Sequence, residues 1–385
     1  MENFEYQAGT RVLFGKGQIE QLPEVISGFG KKVLLCYGGG SIRRNGIYDK
    51  VYELLKDCEI YELSGIAPNP RIDSDREGIA LCRKHDIDVI LAVGGGSVID
   101  CAKVVAAGVY YDGDPWEMVA QGKQTEKALP LVAVLTLAAT GSEYDDGAVI
   151  TNPATNEKIG YGNELTMPKV SILDPTYTYT VSAKQTAAGS IDIMSHLLEQ
   201  YFGPDHTYLA DQMLAGAIRT VIRYAPVAVK QPDNAQARSE LMWTSSLACN
   251  GILSLGCGYG GWPAHAIEHE LSAYYDITHG VGLAILTPRL MRHMLNDNTL
   301  ARFAQYGRDV WGIAGKDDKE TAKQAIDETE KFFTSLGVPM TLGELGIGEE
   351  HFDEMAEHAN RNNRLLHAYV PLSKEEVKAI LHDCL

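Results

Sequence analysis

The chain has 385 residues, 34 of them basic and 51 acidic, with a formal net charge of −17. That length implies about two or three domains and a core large enough to need no disulfide staples. The acidic balance excludes nucleic acid as a main partner, because phosphate neutralisation needs clustered Lys and Arg, and it excludes docking on anionic membranes.

No stretch carries the ~20 apolar residues needed to cross a bilayer. The longest candidate, residues 128–139, is short and contains Pro130. The first residues, Met1-Glu2-Asn3-Phe4-Glu5, lack the basic and apolar regions of a secretory leader. The seven cysteines are odd in number, form no C-x-x-C pair, and read as free thiols in a reducing cytoplasm.

In chain order, residues 32–37 form a near-continuous apolar run ending in glycines, the mark of a strand buried on both faces. Residues 60–63, 89–93, 131–135 and 170–173 read similarly, with helical patterns near 18–28, 45–57, 74–85 and 97–107. Strand–helix alternation implies a mostly parallel sheet covered by helices. Pro153 and Asn156 mark a hairpin over 148–163, ahead of the last strand. After Asp174-Pro175 the strand signals stop. Helical periodicity then runs from about 183 to 384, broken at Gly203-Pro204, 231–233, 256–261, Gly315 and 336–339. The expected division is an α/β dinucleotide-binding domain over 1–180 and an all-helical metal-binding domain over 181–385.

Gly94-Gly95-Gly96-Ser97 follows the strand at 89–93 and opens a helix, with Ser97 as N-cap, Asp100 completing a capping box and Gly108 as C-cap. Glycines let a backbone approach a phosphate, whose oxygens then meet the free N–H groups of the helix start. A tight structural turn explains the same residues. Gly38-Gly39-Gly40-Ser41 repeats the arrangement after residues 32–37. Two such turns suit a dinucleotide, although neither is the G-x-G-x-x-G fingerprint. No acid follows Tyr37 until Asp49, whereas Ser41, Arg43 and Arg44 can receive a 2′-phosphate. This favours NADP(H) over NAD(H). Thr136-Leu-Ala-Ala-Thr140-Gly141-Ser142-Glu143 is a third small-residue turn, explained equally by cofactor contact or a capped helix start.

Asp192 and His196 are four apart and share a helical face, ~5–6 Å apart at Cβ, a spacing that chelates metals. An Asp–His hydrogen bond would use the same spacing. Glu199 falls near that face and reads as an exposed or salt-bridged residue. His265, His269 and His279 lie within fifteen residues. His265 and His269 share a face, but a continuous helix to His279 would span ~21 Å. A shared metal therefore requires a reversal, which 275–278 can supply, with His279-Gly280 opening the next helix. One Asp and three His suit Fe²⁺ or Zn²⁺. Five candidates for about four positions leave one over, and His269 can stand beside the metal and handle protons.

The segment Trp262-Pro-Ala-His265-Ala-Ile-Glu-His269-Glu-Leu-Ser-Ala-Tyr-Tyr-Asp-Ile-Thr-His279-Gly280-Val-Gly282 resembles the histidine signature of the iron-containing (group III) alcohol dehydrogenases. Residues 174–199 resemble the family's other signature, departing at Ser182, where proline is usual, and at Ser190, where glycine is common. The glycine turns and the order of textures match too, so the resemblance covers nearly the whole chain. Tyr-Gly-Gly-Gly-Ser-Ile-Arg-Arg-Asn-Gly looks most like the butanol dehydrogenase branch, whose members often use NADPH. The resemblance implies a dehydroquinate synthase-like fold with its active cleft between the domains. It implies Asp192, His196, His265 and His279 as metal ligands and His269 as a histidine beside the nicotinamide. It implies Gly94, Gly95, Gly96, Ser97, Asp100, Thr136, Thr140 and Lys158 as cofactor-lining positions, and Gly38, Gly39 and Ser41 at the adenosine end. The implied substrate is a small aldehyde or primary alcohol, and the implied assembly a homodimer or larger homo-oligomer. A metal- and NAD-dependent lyase of the dehydroquinate synthase kind is the alternative.

Overall fold

The five apolar runs are strands, and one edge strand joins them. The strands are β1 (Arg11–Phe14), β2 (Lys32–Tyr37), β3 (Glu59–Leu63), β4 (Val89–Gly94), β5 (Leu131–Leu135), β6 (Gly147–Asn152), β7 (Glu157–Gly162) and β8 (Val170–Leu173). They come from a computed structural model that describes residues 1–385 apart from Lys316 and the side chain of Asn362. One parallel sheet runs in the order β1-β8-β5-β4-β2-β3, and β6 and β7 form a separate antiparallel hairpin, as expected for 148–163. Alternation along the strands sends Leu34, Ile90 and Ala133 into one core and Val33, Leu91 and Val132 into another. Both faces are thus apolar, each buried Val or Leu contributing ~1.5–3 kcal/mol. The edge strand β1 was not legible, because only Leu13 of its four residues is buried.

Helices α1 (Leu22–Ser27), α2 (Ser41–Arg44), α3 (Ile47–Leu54), α4 (Ile72–His85), α5 (Gly96–Gly108) and α6 (Pro115–Ala120) connect the strands. Gly108 is the last residue of α5 rather than its C-cap, which is Val109. A Cβ on Gly108 would lie 2.3 Å from Ile79 Cδ1, so this glycine lets α5 approach α4.

After β8 come α7 (Ala183–Tyr201), α8 (Tyr208–Lys230), α9 (Ala235–Cys249), α10 (Pro263–Tyr275), α11 (His279–Met294), α12 (Leu300–Trp311), α13 (Asp318–Ser335), α14 (Phe352–Ala359) and α15 (Lys374–Asp383). Among them α7 packs on α8 and α11, and α10 packs on α11. Arg302 of α12 makes a buried two-pronged ion pair with Asp211 of α8, at 2.7 and 2.6 Å.

The compact units differ from the expected 1–180 and 181–385. One holds Gln7–Val181 and Pro232–Asn250, and the other holds Met1–Tyr6, Ser182–Gln231 and Gly251–Leu385. The inserted helix α9 belongs to the α/β unit because Met242 is buried in that unit's core and Ser246 Oγ donates to Glu143 Oε1 at 2.5 Å. Helical periodicity marks an apolar stripe without saying which core receives it. No helix among the described residues is long and apolar enough to cross a membrane. All seven cysteines are free thiols.

Candidate metal centre and glycine turns

In the helical unit, Asp192 and His196 stand one turn apart on α7, with His196 Nε2 3.6 Å from Asp192 Oδ1. Helix α10 carries His265 and His269 and ends at Tyr275. Asp276, in the left-handed region at φ 49°, then reverses the chain so that α11 starts at His279. The expected reversal is therefore present. Gly280 permits the return, because a Cβ there would lie 2.0 Å from the Ala188 carbonyl oxygen on α7.

Three imidazole nitrogens converge on one carboxylate oxygen. His265 Nε2 lies 3.7 Å and His279 Nε2 3.6 Å from Asp192 Oδ1. The ligand atoms of Asp192, His265 and His279 all lie within 4.8 Å of one another. His196 joins through its contact with Asp192, and its ring stacks on His265 at 4.6 Å. Donors ~2.1 Å from one tetrahedral ion lie about 3.4 Å apart, close to these separations. They are long for hydrogen bonds, and Asp192 Oδ1 and His265 Nε2 have no hydrogen-bond partner among the described residues. Buried polar atoms are normally satisfied, so the site fits a divalent cation with nitrogen and oxygen ligands.

The electrostatics agree. Burial alone would raise the Asp192 carboxyl, but the imidazoles of His196, His279 and His265 hold it well below the ordinary carboxylate range. Burial pushes His196 down to about 3, outweighing the pull of Asp192, which leaves it a neutral ligand at ordinary pH. Burial also works against protonation of His265, yet Glu199 and Asp192 raise it to about 9.

His269 is buried beside the cluster, its ring 6.3 Å from His265 and 5.7 Å from His279. Trp262, at φ 50°, places its ring 5.5 Å from His196 and 5.2 Å from His265. Of the two sequence readings for Glu199, exposed or salt-bridged, the structure has the salt-bridged one. The residue is 8% exposed and pairs with His265 Nδ1, as the fully buried Glu268 pairs with His279 Nδ1. Each glutamate follows a candidate ligand by three residues, and that same-face spacing was the available signal.

In the α/β unit, the turns after β2, β4 and β5 lie at the C-terminal ends of neighbouring parallel strands, where open sheets of this type bind ligands. Thr136 N–H donates to the Gly94 carbonyl at 2.9 Å, and a Cβ on Gly96 would meet Thr140 Oγ1 at 2.3 Å. Gly38 approaches Val98 of α5, and Ser97 and Thr140 are half-buried at the same end. Lys158 lies buried on β7.

Two readings of these turns need correction. The N-cap of α5 is Gly95, so Ser97 and Asp100 form no capping box. Asp100 is instead a brace, accepting from Ser142 Oγ at 2.6 Å and the Val149 N–H at 2.9 Å. Nor is Arg43 free for a phosphate. It donates to Tyr37 Oη at 2.6 Å and Glu62 Oε2 at 3.1 Å and lies 3.7 Å over the Tyr48 ring. Gly39 and Ser41 are exposed, with nothing within 4 Å of a Cβ on Gly39.

Comparison with known proteins covers both halves. Residues 9–175 match the model of the iron-containing alcohol dehydrogenases, and 186–385 match that family's C-terminal model. NADH-dependent butanol dehydrogenase A of Clostridium acetobutylicum is 52% identical over 385 residues, 99% of each chain. The NADPH-dependent aldehyde reductase of Escherichia coli is 38% identical over 351 residues, 90% of each. A solved structure of NADH-dependent butanol dehydrogenase A from Thermotoga maritima superposes with a TM-score of 0.96 at 38% identity, covering 100% of this chain and 99% of that one.

Proposed function

The chain belongs to the iron-containing alcohol dehydrogenase family, and from that premise we propose that it reduces a small aldehyde to a primary alcohol, reversibly, with NADPH as the preferred donor. The observation that carries this reading is the convergence of His196, His265 and His279 on Asp192 Oδ1 at 3.6–3.7 Å. Those four residues would hold one Fe²⁺ or Zn²⁺. A bound ion of this kind supplies Lewis acidity to the substrate oxygen, and the nicotinamide supplies the hydride.

The protein's own groups do the rest. Asp192 balances the cation's charge, and neutral His196 offers a lone pair. Gly38, Gly39 and Ser41 take the adenosine end of the cofactor, while Gly94, Gly95, Gly96, Ser97, Thr136, Thr140 and Lys158 line its remainder. The α5 start offers the N–H groups that have no partner within a helix. Aldehyde reduction forms one C–H bond and places one proton on oxygen. His269, one turn from His265, relays that proton.

The preference for NADPH rests on the first glycine turn. It presents no carboxylate to a ribose 2′-hydroxyl. Glu62, on β3, instead accepts from Tyr48 at 2.6 Å and from Arg43 at 3.1 Å. The Arg43–Glu62 pair is open to solvent and screened by it, whereas a 2′-phosphate offers the guanidinium charge-assisted hydrogen bonds of its own. A 2′-phosphate therefore draws Arg43 away. The names of relatives such as the C. acetobutylicum enzyme support a second reading, NADH.

An aldehyde panel with each cofactor, on protein loaded anaerobically with Fe²⁺ or Zn²⁺, tests the proposal. The expected result is net NADPH consumption that depends on aldehyde and metal. Metal-independent turnover, or cofactor recycled without net loss, would end it. Equal or greater kcat/KM with NADH would end the NADPH preference alone.

A further inference from the structure

Two buried carboxylates stand behind the proposed ligands. Glu199, on α7, pairs with Nδ1 of His265 on α10, and its other oxygen accepts the Ala264 N–H at 2.6 Å. Glu268, on α10, pairs with Nδ1 of His279 on α11 and also accepts from Ser272 Oγ. In both histidines the opposite nitrogen, Nε2, faces Asp192 Oδ1. An imidazole that donates from Nδ1 to a carboxylate is the tautomer with its lone pair at Nε2. The links run from α7 to α10 and from α10 to α11, joining the three helices that carry the donors. His196 lies on the same helix as Asp192, so their register is set by the helix itself.

We propose that Glu199 and Glu268 are positioning residues of the metal centre, each holding one histidine with Nε2 turned toward the ion and strengthening it as a ligand through its charge. The proposal rests on the metal reading above. The geometry also offers Glu268 a rival use, because Glu268, His269 and His279 bring ligand atoms within 4.8 Å of one another. In that arrangement Glu268 would be a ligand of a second ion. The test therefore counts ions as well as measuring affinity.

Zn²⁺ affinity of the metal-free full-length protein is measured by competition with a chromogenic chelator, and stoichiometry by equilibrium dialysis. The set is the parent, Glu199→Gln, Glu199→Leu, Glu268→Gln and Glu268→Leu. The Gln variants keep the shape and an acceptor oxygen, so they guard against loss of fold in the Leu variants. The expected result is one ion per parent chain, with affinity about 10- to 100-fold weaker in the Leu variants and a smaller loss in the Gln variants. The visible bands of the Co²⁺-loaded protein should also shift. A purely structural role would lower the melting temperature while leaving affinity and bands unchanged, and that result overturns the proposal. Two ions in the parent and one in Glu268→Gln would make Glu268 a ligand and overturn its positioning role. No Zn²⁺ binding by the parent would defeat the metal reading itself, a distinct failure from parent binding that the glutamate variants leave unaltered.

Discussion

At the scale of single residues, the cluster assigns different consequences to neighbouring histidines. His265→Ala and His279→Ala each remove a nitrogen that faces Asp192 Oδ1. Purified variants should therefore lose the roughly one metal ion per chain expected of the parent, as read by metal analysis. His269→Ala should retain the ion but lower kcat and alter the pH–rate profile, because the residue stands beside the cluster. Metal loss in this variant would exchange the roles of His265 and His269.

Proton bookkeeping at His265 gives a second prediction. Its raised value of about 9 means that the metal-free protein carries a proton there at neutral pH. An incoming ion must displace it. Zn²⁺ affinity should fall as pH drops below about 9, by about tenfold per unit, with about one proton released per ion from this group. Calorimetry in buffers of different ionisation enthalpy reads that proton, and buffer-independent heats at pH 7 would refute its release.

Much of this was legible because the chemistry lies in short spacings. Asp192 and His196 are separated by one turn, as are His265 and His269, and a single reversal accounts for His279. Glu199 and Glu268 were harder, because each one's partner lies on the next helix of the site. Spacing within an element does not reveal such a pairing. The partners of Arg43, on α2, were hidden for the same reason, since Glu62 approaches it from strand β3.

At the scale of elements, α11 owes its position to Gly280. With the Ala188 carbonyl oxygen 2.0 Å from where a Cβ would stand, Gly280→Ala must move α11 away from α7. Overpacking of this kind costs about 1–3 kcal/mol. Because α7 carries Asp192 and α11 carries His279, the variant should lose both thermal stability and metal retention. Full metal occupancy at an unchanged melting temperature would contradict this account.

Helix α4 offers a pH-dependent case. Asp75 is fully buried, and burial pushes its carboxyl well above the ordinary range. The unfolded chain ionises this group near about 3.9, so the folded form holds the extra proton. Its contribution is complete below that value and is lost as pH rises toward the folded value. Urea midpoints should show the parent losing stability relative to Asp75→Asn between pH 4 and pH 7. A constant difference would show that Asp75 titrates alike in both states. Periodicity located α4 well, but its buried acid carries no sequence mark that distinguishes it from the exposed Asp73.

At the scale of the whole molecule, the sequence reading recovered the two textures and missed how the chain distributes them. The boundary expected near 180 agrees with the end of the first long segment at Val181. It misses α9, whose apolar face could have served either core, and the first six residues. One consequence is testable by truncation. A fragment of residues 1–181 lacks Met242, which is buried in the α/β core, and Ser246, the partner of buried Glu143. It should expose apolar surface, bind hydrophobic dyes and melt below the intact chain. A fragment as stable as the α/β unit in the full protein would show that α9 contributes nothing to it.

The placement of α9 also orders events during synthesis. A ribosome delivers the chain from its N-terminus, and domains generally fold as units while it does so. The α/β unit is not finished when its last strand emerges, because Pro232–Asn250 is still to come. By the time that segment emerges, α7, bearing Asp192 and His196, has already left the ribosome without the histidines of α10 and α11. The nascent chain thus carries half of the proposed metal ligands while its first half waits for its last helix. On the proposed ligand set, ion capture falls late, after His279 has emerged, when the first half has the segment that completes it.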